Sequence, residues 1–383
     1  MQRLLTFGIL GSFLVLSLPA CRKNHDAHQT PPGKTATVYV LGTTSQSTAY
    51  WVNGVETPLQ NPSGVIYAPS MAVSDSTVYV GGALTTGPNK GNAEIWTNGT
   101  GAALPDSGVG FGSAIFVSGG DVYLAGNSSY FAPSTVPYTT PTAPYPFAGN
   151  VATYWKNGVA STLPSVPLVG YQQGYGLDDH DDYVSSMFVS GSDVYVAGGS
   201  HGYQEGNPAS YQFAGYWKNG TLVNLSAGLI DTTQETAPNF LVAYPNTTSI
   251  YVSGNDVYVA GIEYGQFGNQ ALYWKDGVAS YLQSDGALFT TANGIFVSGS
   301  DVYVAGSATI NGKLSAICWK NGVPSTLSSA NGNSGANAVC VLDTNVYVAG
   351  YEVNNDTAYV TYWMNGVPVH LATNGEANAI YVK

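Results

Sequence analysis

The clearest structural signal in the sequence is Ile295-Phe296-Val297-Ser298-Gly299-Ser300-Asp301-Val302-Tyr303-Val304-Ala305-Gly306. It reads as two apolar strands joined by a tight turn, and a second hairpin follows at Cys318-Trp319-Lys320-Asn321-Gly322. Asn-Gly between short apolar runs is a strong hairpin signal, because both residues tolerate the positive φ angles of a type I′ turn. The two hairpins predict one four-stranded antiparallel sheet, whose strands are called first to fourth in chain order.

This unit recurs seven times. All seven Trp residues lie in an apolar pair before Asn-Gly or Asp-Gly, at Trp51, Trp96, Trp155, Trp217, Trp274, Trp319 and Trp363. Before each Trp lies a variant of Val-Tyr-Val-Ala-Gly, which begins at Val38, Val78, Val122, Val194, Val257, Val302 and Val346. We expect the Val-Ala-Gly ends of these segments to form turns. Apolar residues at consecutive positions indicate sheets covered on both faces, as in the stacked blades of a β-propeller.

The two chain ends provide a test of ring closure. The segment at Val38 has no first strand before it, and the chain ends with a first strand, 377–382, that has no partner after it. Pairing them completes one blade and removes exposed sheet edges, whereas an open solenoid would leave both strands unpaired. We therefore predict an all-β, seven-bladed propeller of four-stranded blades over residues 35–383, closed by its C-terminal first strand.

Composition excludes several protein classes. Charged residues make up 9% of the 383 residues, far below the roughly 25% of average soluble domains, which argues against a coiled coil. A hydrophobic content of 44% argues against disorder. The net charge of −12 argues against nucleic acid as a partner, because phosphates would repel the chain.

The N-terminal segment predicts export. Arg3 precedes an apolar run, Leu4 to Leu18, of the length of a signal peptide rather than a membrane span. The run ends in Leu18-Pro19-Ala20-Cys21, which resembles the lipobox of bacterial lipoproteins. The resemblance implies cleavage before Cys21 and attachment of a diacylglycerol to its thiol. The alternative is an ordinary signal peptide whose cleavage site contains a cysteine.

The predicted organisation follows from this cleavage site. Residues 1–20 are expected to be the signal peptide, 21–34 the lipidated cysteine with a polar tether, and 35–383 the propeller. The protein would be held at the bacterial cell envelope by the lipid alone. Arg22 stands where an Asp would retain an enteric-type lipoprotein at the inner membrane, which favours the outer membrane.

The repeat pattern resembles the bacterial β-propeller repeat family over about residues 35–383. It is similar to kelch and WD-repeat propellers in architecture only. The paired glycines of kelch repeats and the terminal Trp-Asp of WD repeats are missing from this sequence. The resemblance therefore implies an architecture and no activity.

Insertions single out three blades. Successive Trp residues lie 44 or 45 positions apart in the regular blades but 57 to 62 apart between Trp96 and Trp274. The extra residues of blades three to five are expected in loops, at 127–151, 164–184, 199–215 and 226–247. Because strand directions alternate, these connections emerge on one side, called here the elaborated face. The Ser-Gly and Asn-Gly turns emerge on the other, the plain face.

The inserted segments supply the candidate binding residues. They are rich in aromatic rings and poor in charge, a composition that suits stacking on a sugar and equally suits a protein partner. A third interpretation is that the rings only pack the long loops against the body of the propeller. The candidates are Tyr138, Tyr145, Tyr171, Tyr175, Tyr203 and Tyr211 as platforms, with Glu205 and Glu263 as acceptors.

The densest charge cluster consists of Asp178, Asp179, Asp181 and Asp182, around His180. Carboxylates at this spacing suit a hard cation such as Ca²⁺, whereas the alternative is a solvated acidic loop with a pH-sensitive histidine. No other cofactor is expected. His180 or His201 could serve as the base of a polysaccharide lyase or hydrolase, although Gly-x-Ser-x-Gly and His-Glu-x-x-His motifs are missing.

The sequence thus favours a non-catalytic, monomeric envelope lipoprotein that binds a glycan or an envelope protein through the elaborated face. A carbohydrate-active enzyme is the alternative, and pure scaffolding is a third interpretation. Cys318 and Cys340 are expected to be buried, and a disulfide between them requires Cα atoms within about 7 Å.

Overall fold

The computed structural model describes residues 36–60, 64–87, 90–104, 109–132, 147–164, 179–204, 207–226, 244–265, 268–284, 287, 289–327 and 332–383. These residues form seven four-stranded antiparallel sheets. Within these ranges the regular structure is entirely β, and none of it is a helix that could cross a membrane.

The strands are assigned to blades in chain order. Blade 1 contains β28 (Gly375–Val382), β1 (Val38–Thr44), β2 (Thr48–Val52) and β3 (Val55–Pro58). Blade 2 contains β4 (Val65–Ser74), β5 (Thr77–Gly87), β6 (Lys90–Thr97) and β7 (Thr100–Ala103). Blade 3 contains β8 (Val109–Ser118), β9 (Asp121–Ala132), β10 (Phe147–Lys156) and β11 (Val159–Thr162). Blade 4 contains β12 (Asp179–Ser190), β13 (Asp193–Gln204), β14 (Asn207–Lys218) and β15 (Thr221–Asn224).

The remaining blades are more regular. Blade 5 contains β16 (Tyr244–Ser253), β17 (Asp256–Gly265), β18 (Gly268–Lys275) and β19 (Val278–Tyr281). Blade 6 contains β20 (Thr290–Ser298), β21 (Asp301–Ile310), β22 (Lys313–Lys320) and β23 (Val323–Thr326). Blade 7 contains β24 (Ser334–Leu342), β25 (Asn345–Asn354), β26 (Thr357–Met364) and β27 (Val367–Thr373).

The ring closes as predicted. β28 pairs with β1 in antiparallel register, from Val38 opposite Val382 to Thr44 opposite Gly375. The first strands of the seven blades contact one another in a closed circuit, from β4 through β8, β12, β16, β20 and β24 to β28 and back to β4. The predicted seven-bladed propeller is confirmed.

The Asn-Gly turns are also confirmed. The first residue of each turn has φ between 49° and 52° and the following Gly has φ between 79° and 87°, which are the two positive angles of a type I′ turn. In blade 6 the Asn321 side chain also accepts a hydrogen bond from Val302 N at 2.8 Å. Equivalent bonds occur in the other six blades, so the turn residue also fixes the start of the second strand.

The prediction that the Val-Ala-Gly segments form turns is wrong. Their glycines lie inside the second strands, opposite a β-bulge that recurs in every first strand. In blade 6 the bulged residue is Asn293, and a Cβ added to Gly306 would lie inside van der Waals contact of the Thr291 carbonyl oxygen. Gly is required here because the bulge points a backbone carbonyl at its Cα.

The bulges also join neighbouring blades. Thr248 Oγ1 donates to Ala292 O at 2.7 Å, Asn293 Nδ2 donates to Ala336 O at 2.8 Å, and Asn337 Nδ2 donates to Ala377 O at 3.0 Å. Each bond crosses from one first strand to the next. A polar residue at the bulge therefore satisfies a carbonyl of the following blade and helps to fix the spacing of the ring.

The seven Trp residues form the packing layer between blades, each with 1% or less of its surface exposed. In blade 6, Trp319 Nε1 donates to Gln283 O of blade 5 at 2.9 Å, directly after the buried Leu282. Trp96 and Trp217 make equivalent bonds to the preceding blades. Within the described part of the chain, the indole nitrogen of Trp274 is buried without a partner.

This difference between two equivalent residues predicts different costs of the same substitution. Trp319→Phe removes a buried hydrogen bond and leaves the Gln283 carbonyl without this donor, whereas Trp274→Phe removes a donor that has no partner among the described residues. We expect Trp319→Phe to cost about 1 kcal/mol more in the free energy of unfolding. Urea denaturation of both variants measures the difference, and equal costs would contradict the role of the indole bond.

The two cysteines of the described residues, Cys318 and Cys340, are buried and free. Cys318 packs with Val339 and Trp363, while Cys340 packs in a different cluster around Val40 and Trp51, so no disulfide forms between them. Burial raises the pKa of the Cys318 thiol to about 12 and that of Cys340 to about 11. At neutral pH both are protonated small hydrophobic side chains.

A consequence is that the folded chain should not react with thiol reagents. In a chain of residues 30–383, Ellman's reagent at pH 8 is expected to titrate fewer than roughly 0.1 thiols per molecule, because a protonated, buried thiol is a poor nucleophile. Unfolding in guanidinium should make both thiols reactive. Rapid reaction of either thiol in the native state would show that the packing between blades 6, 7 and 1 is looser than the structure indicates.

Candidate functional site

The first three strands of blade 4 are all long at the elaborated face, whereas in blade 3 only β9 reaches the same length. β12, β13 and β14 each contain 12 residues, against 9, 10 and 8 for the first three strands of blade 6. Only residues 205–206 join β13 to β14. The three strands therefore continue as a ribbon at this face, called here the blade 4 ribbon and defined as residues 179–183, 200–204 and 207–213.

The predicted loops are therefore partly wrong. His180, Asp179, Asp181 and Asp182 lie in β12, and His201 and Tyr203 lie in β13. Tyr211 lies in β14, and Glu263 lies in β17. The physical reason is that two paired antiparallel strands can be extended by further residue pairs when the next strand of the sheet extends alongside them. Gly, Ser and His in these segments gave no alternating pattern from which the continuation could be predicted.

The ribbon brings together candidates from three separate segments. Asp181 lies directly opposite His201, and His201 lies directly opposite Gln212. Asp179 lies opposite Tyr203, and His180 lies opposite Gly202, which in turn lies opposite Tyr211. These are relations of backbone register, and the side chains of residues 179–181 and 201–212 are outside the described part of the structure. Asp181, His201 and Gln212 are thus register partners in one row, while Tyr203 and Tyr211 belong to two other register pairs of the same ribbon.

Several predicted residues cannot be placed in this way. Tyr138, Tyr145, Tyr171, Tyr175, Glu205, Asp178 and the lipidation candidate Cys21 lie outside the described residues.

Asp182 has a structural role instead of the predicted solvated one. Its side chain is almost completely buried, and Ser200 Oγ donates a short hydrogen bond to its carboxylate. Asn127 of blade 3 donates to the Asp182 carbonyl at 2.5 Å and accepts from Val184 N at 3.0 Å. Asp182 therefore belongs to the junction between blades 3 and 4. Within the described ranges, no group of three His, Cys, Asp or Glu side chains is arranged to hold a metal ion.

Glu263 is already engaged by a neighbour that the sequence did not indicate. Tyr281, at the end of β19, donates from its hydroxyl to Glu263 Oε2 at 2.6 Å. Burial, together with the bond to Glu263, raises the pKa of Tyr281 well above its usual range. With 39% of its surface exposed, Tyr281 presents a ring and an ordered carboxylate together at the outer part of blade 5.

Further exposed aromatic residues lie at the elaborated face outside blades 3 to 5. Tyr67, near the start of β4, is 55% exposed, and Phe289, directly before β20, is 46% exposed. Neither was predicted, because in the sequence an exposed aromatic residue near the start of a strand cannot be distinguished from a buried one. The aromatic surface of this face is therefore broader than the inserted segments.

Blade 7 carries a histidine and glutamate pair at the same end of its strands. His370 Nε2 lies 3.0 Å from Glu352 Oε2, and the imidazole stacks on Tyr359 with ring centroids 4.5 Å apart. Glu352 is buried, and its Oε1 has no partner within the described residues. Sequence reasoning missed this pair because Glu352 and His370 are separated by a whole strand and become neighbours only through the sheet.

The plain face has a different electrostatic character. In blade 3, Lys156 Nζ lies 2.8 Å from Asp121 and 5.3 Å from the centroid of the Tyr123 ring. Hydrogen bonds from Lys156 and Asn157 hold the pKa of Asp121 below its usual range. The same group of Lys, Asp and Tyr recurs in blades 4, 5 and 6. Five of the seven lysines in residues 35–383 therefore lie at the plain face, most of them paired with carboxylates there, and only Lys90 and Lys313 begin strands at the elaborated face.

Comparisons with known proteins concern the fold. No protein-family model and no curated protein sequence matches this chain. It is similar to Trypanosoma rangeli sialidase in complex with sialic acid, with 9% identity, a TM-score of 0.34, and coverage of 91% of this chain and 59% of that chain. It is also similar to an exo-1,5-α-L-arabinanase from a bovine ruminal metagenomic library, with 10% identity, a TM-score of 0.33, and coverage of 69% and 97%. The chain thus spans little more than half of the sialidase.

Proposed function

We propose that the protein is a lipid-anchored protein of the bacterial envelope that binds a glycan through its elaborated face. The observation that carries the proposal is the blade 4 ribbon, in which Asp181, His201 and Gln212 are in register beside Tyr203 and Tyr211. Aromatic rings stack on the apolar faces of sugars, while carboxylates and amides accept hydroxyl hydrogen bonds. An envelope protein is the second partner class, since the same residue types suit protein interfaces.

The charge of the face narrows the class of glycan. Glu263 and Glu352 lie at this face, and the ribbon adds Asp179 and Asp181. Of the lysines in the described strands, only Lys90 and Lys313 begin strands there. A polyanionic glycan would be repelled by this excess of carboxylates, so a neutral polysaccharide is the expected ligand. Calcium bound by the carboxylates of 178–181 would relax this preference, which makes the effect of a chelator informative.

The anchor belongs to the same proposal. The lipobox at Leu18-Pro19-Ala20-Cys21 supports diacylglycerol attachment to Cys21, and Arg22 supports the outer membrane. The lipid would be the only contact that holds the protein at the envelope, and the propeller itself would act as a monomer.

One observation favours a catalytic alternative. Antiparallel register places the backbone of Asp181 opposite that of His201, and a carboxylate next to a histidine is the usual way to orient an imidazole as a general base. In this reading the protein is a polysaccharide lyase or hydrolase, with His201 or His180 as base. It would release unsaturated sugars or new reducing ends, and His201→Ala would abolish the release.

The test uses a soluble chain of residues 30–383 in native gels cast with neutral and anionic polysaccharides, with calcium or a chelator, followed by product analysis. We expect retardation by a neutral polymer without cleavage. The double substitution Tyr203→Ala and Tyr211→Ala should weaken binding about 30-fold at an unchanged melting temperature, because two ring contacts contribute about 1 kcal/mol each. Val159→Ser with Val278→Ser, at the plain face, is the matched control. Retardation by none of the polymers would refute glycan binding, and cleavage would establish the enzyme.

A further inference from the structure

The described chain begins at the plain face. Thr37 N donates to Lys383 O at 2.8 Å, and Lys383 N donates to Thr37 O at 3.1 Å, at the point where β1 starts and β28 ends. The next residue, Val38, donates from its backbone N to the side chain of Asn53 in the plain-face turn. The segment that leads back to Cys21 therefore leaves the propeller at the plain face.

The length of that segment limits how the propeller can face the membrane. Fifteen residues, 22–36, separate Cys21 from Thr37. A chain of this length has a root-mean-square span of about 21 Å as a random coil and cannot exceed about 50 Å. A ten-residue strand such as β4 is about 33 Å long, which sets the distance between the two faces. If the elaborated face were turned to the bilayer, most of the fully extended segment would be used to span the propeller. The segment therefore favours an orientation in which the plain face is turned to the bilayer.

The surface of the plain face fits this arrangement. The first residue of the fourth strand is an exposed valine in five of the seven blades: Val55, Val159, Val278, Val323 and Val367, which are 65% to 71% exposed. Because the blades are equivalent, these valines form a ring at one height around the face. Single exposed valines are ordinary, but a ring on the face from which the chain leaves is a candidate contact surface.

Lysines lie beside this ring. Lys156, Lys218, Lys275, Lys320 and Lys383 all project at the plain face, each 5.2 to 5.5 Å from the centroid of a tyrosine ring. Four of them, Lys156, Lys218, Lys275 and Lys320, are each paired with an Asp of the same face, so these groups add no net positive charge. The exposed valines are the part of this face that suits the headgroup region of a bilayer.

We propose that the plain face lies against the surface of the anchoring membrane, with the valine ring at headgroup level and the elaborated face directed away from the bilayer. This inference rests on the lipid anchor proposed above and adds an orientation to it. The binding face would then be presented to polymers at a distance from the membrane.

The test compares two positions on neighbouring blades in the full-length lipidated protein. Val278→Cys at the plain face and Phe289→Cys at the elaborated face are each labelled with a fluorophore; Cys318 and Cys340 are buried, and the Cys21 thiol carries the lipid. The proteins are reconstituted in phosphatidylethanolamine and phosphatidylglycerol vesicles that contain lipids with nitroxide headgroups. We expect at least threefold stronger quenching at position 278. Equal quenching, or stronger quenching at position 289, would overturn the orientation.

Two further measurements separate the parts of the inference. Flotation of the vesicles shows whether the protein is anchored. A chain that does not float would refute the anchor and with it the orientation. Glycan binding by residues 30–383 is tested separately and would not be affected by that result. Replacement of Val55, Val159, Val323 and Val367 by serine should at least halve the quenching at position 278 without changing the melting temperature. Unchanged quenching would contradict contact between the valine ring and the headgroups.

Discussion

Deletion of residues 375–383 is expected to abolish cooperative folding of the propeller. The deletion removes β28, whose Ala377 and Val382 are buried in the core shared with Val40 and Trp51. It also exposes the edge of β1 and breaks the circuit of first strands between β24 and β4. An open ring with an unpaired edge strand is prone to aggregation, so we expect insoluble protein or a chain without a thermal transition.

A rearranged chain is the control for this deletion. Residues 375–382 can be moved to a position before Val38 and joined to it by the four-residue turn Ser-Gly-Asn-Asp, which links the paired first and second strands of blade 5. This circular permutant should melt within a few degrees of the original chain, as measured by calorimetry. A truncated chain that unfolds cooperatively at the original temperature would show that closure by β28 is dispensable.

The second large effect is expected at Gly306. In β21 this residue faces the bulge of β20, and a Cβ would collide with the Thr291 carbonyl oxygen. Because the obstacle is backbone held by two neighbouring blades, the strands must separate to accommodate it. We expect Gly306→Ala to lower the free energy of unfolding by about 3 kcal/mol.

Gly87→Ala is the matched control for this substitution. Gly87 is the last residue of the second strand β5; a Cβ there meets nothing within 4 Å and its φ is not in the positive range. Its replacement should change the free energy of unfolding by less than about 0.5 kcal/mol. Equal effects of the two substitutions in urea denaturation would show that the glycine serves only the flexibility of the strand and not the bulge.

The glycines also show what the sequence can and cannot predict. The Trp and Asn-Gly repeats, together with the orphan strands at Val38 and at 377–382, were sufficient to predict seven blades and their closure, because these are local hairpin signals counted along the chain. The bulges could not be predicted in this way. The carbonyl that excludes a side chain from Gly306 belongs to Thr291, and its approach depends on cross-strand register rather than on local composition.

The same limit applies to the candidate site. Insertion lengths pointed to blades three to five, but they could not show that Asp181 and His201 would be paired in adjacent strands. Tyr281 and the Glu352 and His370 pair were missed because their contacts join strands that are 18 residues apart in sequence. In a propeller, side chains meet through the sheets. Candidate residues are therefore best sought among register partners near the elaborated ends of the strands.

Ligand is expected to bind at the elaborated face, and hydrogen–deuterium exchange of residues 30–383 with and without the retarding polysaccharide shows where binding occurs. The strand ends of the elaborated face and the turns of the plain face lie in different peptides, so the set of protected peptides shows which face binds the ligand. We predict slower exchange in bound protein for residues 179–183 and 200–213 and no change in the Asn-Gly turns of the plain face. Protection confined to the plain-face turns, or none at the blade 4 ribbon, would contradict the account.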